Sequence, residues 1–117
     1  MAEEMKRNHI ALILIHIDEA HSDDMWPINL PDKPQSHTCI EDRFKKANDF
    51  VEKENPPFLT LVDTWTNPFA EIYRAWPDKY YCCTNDLIII DKSKYGKHGK
   101  ENALIKVDCT ELITTLY

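Results

Sequence analysis

The sequence predicts a small α/β domain, three layers deep, around a mixed sheet. Three observations carry this. A near-continuous apolar run, Ile10–Ile15, breaks sharply into Asp18, Glu19, Ala20 and His21, as a strand buried on both faces does. Apolar runs then alternate with stretches of helical period, the pattern of strand–helix units. A hairpin and a final helix close the chain, giving the order β-loop-α-β-α-β-β-α. At 117 residues the chain is read as one domain, 1–117, with room for a single modest core.

Each element has a local reason. Residues 1–8 are charged (Glu3, Glu4, Lys6, Arg7) and read as the end of a helix or a frayed start. Ile10–Ile17 is the first strand. Ser22–Ser36 carries Pro27, Pro31 and Pro34 and is a loop. Thr38 with Glu41 has the spacing of a capping box. The helix it opens runs to about Glu54, with Ile40, Phe44, Ala47 and Val51 on one face. Pro56-Pro57 stops it, and Phe58–Asp63 is the second strand. Asn67-Pro68 reads as an N-cap with proline in the first turn. The short helix after it turns Phe69, Ile72, Tyr73 and Trp76 inward. Tyr80–Cys83 and Leu87–Asp91 flank Thr84-Asn85-Asp86 as a hairpin. Lys92–Lys100 is a basic loop, and Asp108 with Glu111 starts a last helix to about Leu116.

Composition excludes several classes. A net charge of -6 argues against nucleic acid as a default partner. The two glycines, Gly96 and Gly99, form no phosphate-cradling loop. That disposes of the ATPase reading which Asp18-Glu19-Ala20-His21 after a strand invites. The four cysteines (Cys39, Cys82, Cys83, Cys109) show no C-x-x-C spacing, which fits thiols in a reducing, intracellular compartment. No signal peptide is read, and the longest apolar run is too short to span a bilayer, so a soluble protein is expected.

In open parallel sheets, ligands sit beyond the carboxyl ends of the strands. That places any site at Asp18, Glu19 and His21. No metal site is expected, because the histidines and cysteines lack zinc-ligand spacing; His16, within the strand, reads as a core histidine. Cys82-Cys83 point to opposite faces of a strand and read as small buried hydrophobes. Cys39 lies in the first turn of a helix, where the dipole lowers a thiol pKa, though a structural role is the plainer reading. The lysine-rich loop reads as an anion site or, more plainly, a solvated loop.

Segments in register along the chain resemble the iodothyronine deiodinases. There an apolar strand runs into Glu-Glu-Ala-His and Ser-Asp-Gly-Trp; here it is Asp18-Glu19-Ala20-His21-Ser22-Asp23-Asp24-Met25-Trp26. Pro34-Gln35-Ser36-His37 is similar to the family's Pro-x-His, and Ile40-Glu41-Asp42-Arg43 to its Leu-Glu-Asp-Arg. Leu61-Val62-Asp63-Thr64-Trp65 resembles Val-Val-Asp-Thr-Met, and Trp76-Pro77-Asp78-Lys79-Tyr80-Tyr81 resembles Leu-Pro-Glu-Arg-Leu-Tyr.

The resemblance implies a thioredoxin-like fold and reductive removal of iodide from thyroid hormones or similar iodinated aromatics. It implies a selenocysteine nucleophile, a thiol reductant as cosubstrate and no bound cofactor. It carries supporting catalytic roles onto Glu19, His21 and His37. An imidazole can bond the phenolic or carbonyl oxygen of a substrate, and a Glu–His pair can deliver a proton as iodide departs. Asp63 reads as structural, and Pro77 as the proline, often cis, before a strand of such folds.

The family's first strand, nucleophile loop and most of its first helix have no counterpart in these 117 residues, nor has its membrane anchor. The expectation is therefore an incomplete thioredoxin-like domain, inactive alone, with sheet edges left open beside the strands Ile10–Ile17 and Tyr80–Cys83. Direct pairing of those two strands would close the gap. Three explanations follow: a sequence begun after a selenocysteine codon, a catalytically dead binding module, or a subunit whose open sheet a partner or a second copy completes.

Overall fold

The computed structural model of the chain describes residues 2–27, 31, 33–76 and 79–92. The basic loop beyond Lys92, the predicted last helix, Cys109 and Pro77 lie outside the described residues. The elements are α1 (Ala2–Arg7), β1 (Ile13–His16), α2 (Ile40–Glu54), β2 (Leu59–Val62), α3 (Pro68–Tyr73), β3 (Tyr81–Cys83) and β4 (Ile89–Lys92). The alternating order is as the sequence predicts. The sheet is not. Instead of one mixed sheet, β1 and β2 form a parallel pair and β3 and β4 an antiparallel pair, as two separate sheets. Ladder bonds form only where strands run side by side, and among the described residues β1 has β2 alone for a neighbour. The chain divides into two compact units, Met1–Pro77 and Asp78–Tyr117.

In the first unit, α2 covers one face of the β1–β2 pair. His16 of β1 meets the ring of Phe50 edge-on at 5.4 Å, so the alternate residues Ile13 and Ile15 point away from α2. Ile13 and its ladder partner Leu59 are half exposed. The strand expected to be buried on both faces therefore has a packed face and an open one.

The inward face of α2 is also re-phased. Arg43 and Ala47 are buried, Ile40 and Phe50 half-buried, while Phe44 and Val51 are exposed. A charged residue reads as outward in any hydrophobicity pattern; here polar acceptors await it below the helix. The cap differs as well. Cys39 is the N-cap and makes no side-chain cap bond. Asp42, not Glu41, reaches back, accepting from the Thr38 backbone N–H at 2.8 Å and its hydroxyl at 2.7 Å. Those bonds, the hydroxyl's first, hold the Asp42 carboxyl below its usual range. The helix ends at Asn55, left-handed at φ 43°, its N–H on Val51 O.

Asn67 precedes α3 with Pro68 in its first turn, as predicted, but its side chain caps nothing. The carboxylate of Asp63 does the capping, accepting the Phe69 and Ala70 N–H groups at 3.1 and 3.0 Å. Small residues, Ala70 and Ala75, are the buried ones here, whereas Ile72, Tyr73 and Trp76 are exposed. A six-residue helix has too little surface to bury four large side chains.

In the second unit, Thr84 O accepts from Leu87 N–H, and Ile88 O from Thr84 N–H. Leu87 then sits at φ 61°, a position that favours glycine. Cys82 is buried and Cys83 exposed, which corrects the reading of both as buried; burial pushes the Cys82 thiol pKa up. Leu87 is 83% exposed, so little packing is lost with its side chain. Leu87→Gly is expected to raise stability by about 0.5–1 kcal/mol, read as an increased denaturation midpoint; an unchanged or lower midpoint contradicts it.

Candidate functional site

The carboxyl end of β1 delivers Asp18 and Glu19 to the N-terminal half of α2. Asp18 Oδ1 accepts the Glu19 N–H at 3.0 Å and lies 3.5 Å from Arg43 Nη2 and 3.3 Å from His37 Nδ1. The His37 side chain is 5% exposed, and neither of its ring nitrogens completes a hydrogen bond within the described residues. Arg43, 1% exposed, anchors the cluster. Its Nη1 donates to Asp63 O at 3.0 Å and Thr64 O at 2.9 Å, at the end of β2. Its guanidinium lies 5.5 Å from the Trp65 ring, within cation–π range.

Glu19 and His21 share one tight turn. Glu19 Oε1 accepts the His21 backbone N–H at 3.0 Å, and Oε2 contacts Lys46 Nζ. Lys46 stands one helical turn after Arg43, on the same side of α2. Trp26 N–H returns to Ala20 O and Met25 N–H to Ser22 O, both at 3.1 Å, which closes the turn over the buried Ala20 and Ser22. His21 Nδ1 is 3.1 Å from Trp26 O. A carbonyl only accepts, so Nδ1 carries the proton, which leaves Nε2 as the ring nitrogen that can accept.

The loop after this turn is clasped at both ends. Lys33 pairs with Asp23 at 3.1 Å, and the Ser36 hydroxyl donates to Asp24, holding that carboxyl below its usual range. The second clasp sits beside His37 in sequence.

The structure thus places Glu19 and His21 together through the backbone, and His37 beside Asp18. Among the described residues the Glu19 carboxylate contacts Lys46 and the His21 backbone N–H, not an imidazole. The sequence reading missed Arg43, Lys46 and the pairing of Asp18. The one signal for Arg43 was its place in Ile40-Glu41-Asp42-Arg43. Among the described residues, no three His, Cys, Asp or Glu side chains gather as a metal site.

His16 lies at the edge of this cluster. Burial first, then the nearby charges of Lys46 and His37, lower its pKa below the usual 6.5. Its Nε2 is buried without a hydrogen-bond partner. Below pH 6.5 an unfolded chain binds a proton that the folded one refuses. Stability therefore rises with pH through the window between the lowered pKa and 6.5, and falls as pH drops through it. The contribution to the slope approaches, at its steepest, about 1.4 kcal/mol per pH unit. Denaturant titrations from pH 5 to 8 should show His16→Phe flattening this dependence; an unaltered slope would sink the assignment.

Nδ1 of His37 against a carboxylate, and Nε2 of His21 free to accept, are two imidazoles suited to proton handling. Both stand at the carboxyl end of parallel strands.

The sequence of this chain is similar to those of known proteins. The family profile described as iodothyronine deiodinase matches residues 2–106. The type I iodothyronine deiodinase of Xenopus laevis is 33% identical over 93 residues, 79% of this chain and 36% of that protein. The thyroxine 5-deiodinases of Ovis aries and Bos taurus are each 29% identical over 83 residues, 68% of this chain and 27% of theirs. The chain spans about a third of the length of these curated relatives. With a match that spans every described residue, the chain belongs to the iodothyronine deiodinase family.

Proposed function

We propose that this chain carries the proton-handling and substrate-orienting part of a reductive deiodination centre on a thioredoxin-like scaffold. The observation that carries the reading is the buried His37 ring held 3.3 Å from the half-buried Asp18 carboxylate, beyond the end of β1 in a deiodinase-family chain. In the reaction an aryl C–I bond becomes C–H, iodide leaves, and two thiols end as one disulfide with release of a proton. Asp18 orients His37, and His37 donates the proton where the ring carbon loses iodine. Glu19 fixes the His21 turn through its backbone N–H, and His21 bonds the phenolic oxygen. The substrate is an iodinated aromatic of the thyroid-hormone type, and the reductant is a thiol.

The sequence holds no selenocysteine, and the chain by itself is expected to release no iodide from thyroxine with excess thiol. Robust turnover by the 117 residues would overturn the account of the nucleophile. Intact mass of the endogenous protein is the companion measurement. A heavier species with the selenium isotope pattern is expected to deiodinate thyroxine and to lose about 100-fold or more of that activity in His37→Gln. Retained activity in that variant removes His37 from the mechanism.

A second reading has its own observation. The open face with Ile13, Leu59 and Leu61 half exposed favours a catalytically inert module, or a subunit whose sheet a partner or second copy completes. A species of unextended mass that elutes with another chain would favour this reading.

A further inference from the structure

Two tryptophans stand beside the His21 turn, and the proton chemistry above uses neither. Trp26 and Trp76 lie with ring centroids 6.4 Å apart, tilted by 36°. They are 52% and 38% exposed. Indoles are usually well covered, and two open ones in contact make a continuous apolar patch, which marks a binding surface more often than chance exposure does. Met25, also exposed, adjoins Trp26 in sequence. The His21 ring lies 5.6 Å from the Trp26 ring. With Nδ1–H committed to Trp26 O, Nε2 is the ring nitrogen left to accept, on a ring that lies beside Trp26.

An open aromatic face beside a lone hydrogen-bond acceptor selects a planar ring that bears an O–H. We propose that Trp76 and Trp26 together form the surface on which the phenolic ring of an iodinated aromatic stacks, with its hydroxyl donating to His21 Nε2. The proposal rests on the deiodinase reading and deepens it by naming the residues that hold the ring. Offset stacking on an indole suits a ring made broad and polarisable by iodine, since dispersion grows with contact area. Trp76 is then a specificity-determining residue rather than a core residue. Its exposure contradicts the inward role that helical spacing assigns to it.

The test is direct binding of diiodophenol to the 117-residue chain, by calorimetry and by quenching of tryptophan fluorescence. Turnover is not needed. Trp76→Ala is expected to weaken binding about tenfold, the scale of one lost aromatic contact, while Trp76→Phe restores most of it. Diiodoanisole, the methyl ether, cannot donate a hydrogen bond and should bind about tenfold more weakly than the phenol. His21→Gln should shrink that difference. Far-UV circular dichroism and a denaturation midpoint confirm that each variant is folded. Unchanged affinity in folded Trp76→Ala, or no binding of diiodophenol by the wild-type chain at millimolar concentration, overturns the proposal. Equal affinity for the phenol and its ether overturns the role of His21 Nε2 in it. The deiodinase reading fails separately: iodide release by the endogenous protein tests it whatever Trp76 binds.

Discussion

Arg43→Met is expected to destabilise the protein by about 3–5 kcal/mol, the cost of breaking a buried charged network from one side. The guanidinium is 1% exposed and serves four partners. It donates to Asp63 O and Thr64 O at 3.0 and 2.9 Å, pairs with Asp18 at 3.5 Å and lies near the Trp65 ring at 5.5 Å. Methionine fills much of the volume and satisfies none of the acceptors. The two carbonyls lose charge-assisted bonds worth about 1.5–3 kcal/mol each. Arg43→Lys separates charge from shape. A single ammonium lacks the planar fork that reaches two carbonyls and a carboxylate at once, so lysine should recover less than half of the loss. Urea unfolding of the three proteins measures this. A methionine variant within 1 kcal/mol of wild type would mean that α2 is docked by its apolar contacts alone.

Asp63→Ala should cost about 2–4 kcal/mol. The side chain is buried and accepts the N–H groups of Phe69 and Ala70, two of the opening amides of α3. Asn67, the nominal cap, offers no alternative acceptor bond. Alanine leaves two amides without partners, and a buried unpaired donor costs about 1–3 kcal/mol. Asp63→Asn keeps one acceptor oxygen and should lose roughly half as much, including the favourable placing of a carboxylate at a helix start. Arg43 and Asp63 meet at the same backbone segment. The double substitution should therefore be non-additive by more than about 0.5 kcal/mol. Additive losses would show that the helix cap and the α2 anchor are independent.

Much of the element order was legible because its causes are local. The apolar run of β1, the proline stop after α2, the Pro68 start of α3 and the Thr84–Leu87 turn are each set by a few adjacent residues. Glu19 and His21 were legible as a pair for the same reason: one turn holds both. The inward faces were less so. Phe44 and Val51 have helical spacing and are exposed, while Arg43 is buried, because spacing gives a period and not a phase. Phase depends on what lies beneath the helix. Asn67 had the right sequence position for a cap, yet Asp63, from the preceding strand end, took the role.

The sequence by itself determined the alternation of strands and helices, the polar break after β1, and the family to which the chain belongs. Those follow from local backbone preference and from residues read in order. Only the tertiary structure decided that Asp18 meets His37, that Arg43 joins the ends of β1 and β2, and that the strands form two small sheets. It also put Trp26 beside Trp76. The β3–β4 hairpin apart, each of these depends on segments distant in the chain, where charged groups and carbonyls find partners away from water.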